Sequence, residues 1–139
     1  MTSAELAFQL GSRTSYIDRH RPLLLQVQVA LFFVGMFFYT SGITWPGVFQ
    51  ETTWGSLAYE RPAWFWGAVN AVSAAVTALG LIRPVKNWMI TCGAVLQVLQ
   101  FGAIATSCML YGGDKGIGLY AVALMVLHCK MVYEAARSL

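Results

Sequence analysis

The chain has 139 residues, of which 58% are hydrophobic and 11% charged, whereas soluble domains usually carry about 25% charged residues. Its formal charge of +3 comes from nine Lys and Arg residues that are scattered rather than clustered, so it offers no basic face for nucleic acid. One domain that lives in or beside a membrane is what this length and composition allow.

Residues 1–22 form an N-terminal segment in which Thr2 and Glu5 have capping-box spacing ahead of Leu6, Ala7 and Leu10. Either a short interfacial helix or a frayed terminus fits that pattern. Four apolar stretches follow, at 23–40, 63–82, 88–111 and 116–136. Each approaches or exceeds the roughly 20 residues that a helix needs to cross the hydrocarbon. Pro22, Pro62, Arg83-Pro84 and Gly112-Gly113 mark their ends, through a missing N–H or a permissive backbone. A β-barrel would need short alternating segments, and these stretches are continuously apolar. The first stretch leaves through Phe37-Phe38-Tyr39-Thr40, too bulky for a signal-peptide cleavage site, and reads as an uncleaved anchor.

Orientation is read from the basic residues beside the spans. Arg13, Arg19, Arg21, Arg83, Lys86, Lys130 and Arg137 flank one side, and only Arg61 and Lys115 the other. The expectation is an all-α integral membrane protein whose residues 23–139 make four transmembrane helices in an up-down bundle, with N and C termini cytoplasmic.

Catalysis needs convergent ionisable groups, and this chain is poor in them. Glu5, Asp18, Glu51, Glu60, Asp114 and Glu134 all lie outside the spans or at their edges, so no carboxylate sits mid-span for proton or ion coupling. His128 has no second metal ligand one turn away and is expected to hydrogen-bond a neighbouring helix. Lys130 is placed either to snorkel or to pair with Glu134. Cys92, Cys108 and Cys129 lack CxxC spacing and behave as small apolar residues or nothing more specific. No enzyme activity, metal or cofactor is expected.

Uncharged polar residues are more informative. Asn70, Ser73 and Thr77 make a stripe on the second span, and Gln97, Gln100 and Ser107 one on the third. In hydrocarbon these groups seek partners, so they face other helices or line a path between subunits. Gly67, Ala71 and Ala75 form a row of small residues that lets another helix come close. The outer loop, about 41–62, carries Trp45, Phe49, Trp54 and Tyr59, followed at once by Trp64 and Trp66. These rings suit either anchoring at the membrane interface or docking of a partner.

Pro46-x-x-Phe49, Thr52-x-x-x-Ser56-x-x-Tyr59, Trp66-Gly67 and the basic hinge at Arg83 together resemble the small, mostly uncharacterised membrane proteins encoded by tailed bacteriophages. The likeness covers mainly residues 40–85. It implies a viral origin and a polar-aromatic loop between the first two spans, and it carries no catalytic residues. The long N-terminal segment and the glutamine stripe depart from that pattern.

The resulting expectation is a non-enzymatic protein of a bacterial inner membrane, in contact with the lipid bilayer, that acts as a homo-oligomer or on another membrane protein. Holin-like permeabilisation through the polar stripes is one form of it. An accessory subunit docking through the aromatic loop is the alternative, and an intramembrane enzyme is disfavoured for want of an Arg-rich cofactor site or CxxC.

Overall fold

In the computed structural model, residues 2, 3, 16–45, 47 and 50–139 are described. Among them no strand occurs, and the helices run α1 (Tyr16–Thr44), α2 (Glu51–Trp54), α3 (Ser56–Tyr59), α4 (Ala63–Leu81), α5 (Asn87–Leu110) and α6 (Lys115–Arg137). Of these, α1, α4, α5 and α6 are long and apolar enough to cross a membrane. The proposed N-terminal capping box includes Glu5, which lies outside the described residues.

The first helix starts earlier than expected, at Tyr16, and Pro22 lies inside it. A proline is tolerated best close to a helix N-terminus, where the fewest donors are lost. The other ends follow local chemistry. Asp114 caps α6 by accepting the Ile117 N–H at 2.9 Å, and Lys115 Nζ donates to the carbonyl oxygens of Met109 at 2.6 Å and Cys108 at 3.3 Å at the end of α5. A carboxylate at an N-terminus and an ammonium at a C-terminus both oppose the helix dipole. Gly112 turns the chain between them at φ +86°, which side chains with a Cβ rarely adopt.

The long helices pack in sequence, α1 on α4, α4 on α5 and α5 on α6, whereas α1 and α6 touch far less. Contacts run end to start in every pair. Arg21 near the beginning of α1 donates to the Leu81 carbonyl at the end of α4 at 3.4 Å, and Gly80 faces Ile90 across the α4–α5 turn. At this basic end Ile17, Leu24, Leu81, Ile90, Ala94, Met131 and Ala135 form one apolar cluster. A second cluster, Ile104, Ala105, Cys108 and Ala121 with Trp54 and Trp66, sits at the loop end. Outward-facing positions such as Phe33, Phe37, Leu99, Leu119 and Val126 are exposed and apolar, as a helix in lipid requires.

Backbone proximity decides the α1–α4 seam. A Cβ on Gly35 would stand 2.6 Å from Ala71 N and 2.8 Å from Gly67 O, and one on Gly67 would collide with the Tyr39 backbone. Gly42 meets Ala63 and Trp64 in the same way. Lipid gives no hydrophobic drive for helices to associate, so such close approach supplies the packing that holds them.

Candidate functional site

The six stripe residues are all buried within one copy of the chain. Asn70 Nδ2 donates to the Leu31 carbonyl at 2.7 Å, bridging α4 to α1. Ser73 and Thr77 spend their hydroxyls on their own helix, Ser73 Oγ on Val69 O at 2.6 Å and Thr77 Oγ1 on Ser73 O at 2.7 Å. Backbone oxygen lone pairs take up these hydroxyls at little cost. Gln100 Nε2 reaches the Trp66 carbonyl at 3.4 Å, and Ser107 Oγ accepts the Ala58 N–H at 2.8 Å. Gln97 is fully buried, and neither its nitrogen nor its oxygen has a partner; Gln28 Oε1, Asn70 Oδ1 and Gln100 Oε1 are likewise unpaired. Buried amide atoms left this way are rare in native proteins.

His128 bonds a neighbouring helix as expected, and sequence patterning missed only its partner, Gln28. Gln28 Nε2 lies 3.0 Å from His128 Nε2, and His128 Nδ1 lies 2.6 Å from Leu124 O. A carbonyl only accepts, so Nδ1 carries the proton and Nε2 accepts from the Gln28 amide, an assignment made from the network. This pair is a buried polar link between α1 and α6. The buried positions of α1, namely Ile17, Leu24, Gln28, Leu31, Gly35 and Gly42, follow the 3-and-4 spacing of a heptad seam. That spacing was the signal that would have picked out Gln28 and both glycines.

Of the packing row, Gly67 and Ala71 lie in the α1–α4 seam against Gly35, while Ala75 is half-buried. Near the basic end Glu134 is buried and takes Arg137 at 3.0 Å and Lys130 at 3.8 Å. Lys130 also stands over the Tyr16 ring at 5.4 Å.

The aromatic loop is a folded cap rather than a connector. Asp114 N donates to Thr53 O at 2.8 Å and Ser56 N to Tyr111 O at 2.9 Å, tying the loop to the α5–α6 turn. Trp66 Nε1 closes back on Ala58 O at 2.8 Å, and Trp54 meets Phe38 edge to face at 5.3 Å. The Cys108 thiol donates to Trp54 O at 3.5 Å beneath the cap. Gly55 makes the arrangement fit: its φ is +86°, and a Cβ there would run into Ser107. Trp45, Tyr59 and Trp64 remain exposed, at 63%, 49% and 44%; Phe49 and Pro46 lie outside the described residues. Glu51, Glu60 and Arg61 are exposed beside them.

Among the described residues no group of three or more His, Cys, Asp or Glu side chains could hold a metal ion. No family model, curated protein or solved structure matches the chain.

Proposed function

We propose that this chain is a non-enzymatic, up-down four-helix protein of a bacterial inner membrane, with both termini cytoplasmic, that works by docking another membrane protein on its aromatic loop. The observation that carries this reading is the fixed cap: hydrogen bonds from Ala58, Ser56 and Asp114 hold it while Trp45, Tyr59 and Trp64 face outward. Rigid aromatic groups on a pre-organised surface lose little entropy on binding and are frequent anchors of interfaces. Permeabilisation by self-association receives less support, because the polar stripes are enclosed by the chain's own helices. The phage-like loop motif supports a viral origin.

The decisive measurement is the native mass of the full chain in mild detergent, with any co-purifying protein identified. A fixed partner that is lost from the Trp45→Ser, Trp64→Ser double variant, with helicity unchanged, is the expected result. A homo-oligomer that leaks dye from liposomes would replace docking with permeabilisation. Topology is checked separately by thiol labelling, on a background lacking the native cysteines. Cysteines at Thr2 and Ser138 should react from the cytoplasmic side and one at Gln50 from the other.

A further inference from the structure

Where α1 and α6 part, a cavity of about 330 Å³ lies between them, at the small end of the usual range for ligand sites. Its wall on α1 runs from Leu31 to Phe38 and its wall on α6 from Leu124 to Ile117, each about 10 Å of helix rise. The Gln28–His128 link and the packing of Leu124 against the Leu31 cluster close it toward the basic end. At the other end Trp54 of the cap meets Phe38 edge to face at 5.3 Å, and both rings line the cavity. Val34 and Tyr120, exposed at 47% and 77%, flank the side that remains. The cavity is thus covered by the cap and open to lipid.

The surface inside is almost wholly apolar. Asn70 and Gln100 border it, but their nitrogens are spent on the Leu31 and Trp66 carbonyls and their oxygens are buried out of an occupant's reach. Water finds no hydrogen bonds in such a space and stays out. A partner's spanning helix is about 30 Å long, so it could only lie across the mouth of a slot this short. A single hydrocarbon chain meets every condition. It surrounds the mouth at high concentration, runs along the helix axes as the slot does, and has no polar group to desolvate.

We propose that this cavity holds one acyl chain of a phospholipid from the leaflet on the loop side. The chain enters between Val34 and Tyr120 and lies against Trp66, Phe101 and Ile104, while the cap keeps its headgroup outside. Lipid offers no hydrophobic drive for this step, so the gain is the dispersion contact that an empty slot would forfeit. The bound chain completes the α1–α6 seam, which the protein's own side chains leave open. This inference is independent of the docking reading, because it concerns the lipid-facing cleft rather than the outer face of the cap.

The test is contact quenching of the two tryptophans that line the cavity. Trp45, Trp64 and Trp88, all exposed, are replaced by Phe, so that emission comes from Trp54 and Trp66. The full chain is reconstituted in dioleoylphosphatidylcholine vesicles in which a rising mole fraction of the lipid is brominated across its double bonds. Quenching should rise in proportion to that fraction, as exchange at one lipid site requires; several chains around an exposed ring would saturate it early. Ala121→Phe on the buried wall and Val34→Phe at the mouth should each lower quenching at full bromination about threefold, because bromine must reach contact distance of a ring. Helicity should be unchanged in both. Val126→Phe, on the exposed face of α6, should leave quenching as it was. Quenching that neither cavity substitution lowers would overturn the assignment, as would emission that full bromination leaves untouched. In that last case, disulfide cross-linking of copies carrying Val34→Cys, on a background lacking the native cysteines, would give the cleft to a second copy.

Discussion

The first long helix shows two unlike sides. Toward α4 it presents Gly35 and Gly42, and the two backbones meet at distances that leave no room for a methyl group. Toward α6 it offers Gln28 and bulky apolar residues, and the two helices touch far less, through the Gln28–His128 pair, the cluster around Leu24 and Met131 at the basic end, and the cluster of Leu31, Phe101 and Leu124 beside it. A helix in lipid gains from tight van der Waals contact or from satisfying an amide, and it uses one device on each side. Where it has neither, the seam opens into a cavity. In this chain small residues close a seam, and a polar pair only pins one.

The largest effect is expected at the closed seam. Gly35→Leu places a side chain against the Ala71 and Gly67 backbones, and overpacking of this kind should cost about 3 kcal/mol. Reversible unfolding in mixed micelles would measure it. A variant as stable as wild type would mean that glycine proximity does not hold the two helices.

Gly55→Ala should cost about 2 kcal/mol by combining a disfavoured φ with the collision at Ser107. It should act locally, by lifting the cap from α5. Cys108 is buried under the cap while Cys92 and Cys129 are exposed, so in a chain retaining only Cys108 the rate of thiol labelling should rise at least tenfold. An unchanged rate would show that the cap does not depend on this glycine.

The pinned seam should respond less. Gln28→Leu leaves the His128 Nε2 acceptor without its partner, at about 1 kcal/mol. Adding His128→Leu should recover most of that loss, because removing both partners is cheaper than removing one. Failure of the double variant to recover would mean that the pair contributes through something other than its mutual bond.

The smallest change is expected where a polar residue has no bond to lose. Gln97→Leu should leave unfolding within about 0.5 kcal/mol of wild type or slightly raise it, since both amide atoms are buried and unpaired. A loss above about 2 kcal/mol would instead point to a buried water or partner satisfying that amide.

That the chain is helical with four apolar segments could be read from its residues alone, because a continuous apolar run of this length carries its own solvent requirement and every backbone group must be bonded within it. The polar stripes could be read in the same way, since helical spacing is a local property. What those stripes do was not legible. Ser73 and Thr77 turn onto their own backbone, Asn70 and Gln100 reach across to other helices, and Gln97 reaches nothing. All five look alike as polar residues in apolar runs, and only the position of a neighbouring carbonyl separates them. The same holds for the glycines. Gly35 and Gly42 stand in a heptad register that could be read from the sequence, but the closeness that makes them indispensable belongs to the facing helix. The loop at 41–62 gives no periodicity to read. Thr53, Ser56 and Ala58 within it are held by Asp114, Tyr111 and Ser107, about fifty to sixty residues downstream. Only the tertiary structure brings them together, because a hydrogen bond depends on where its two ends meet and not on how far apart they lie in the chain.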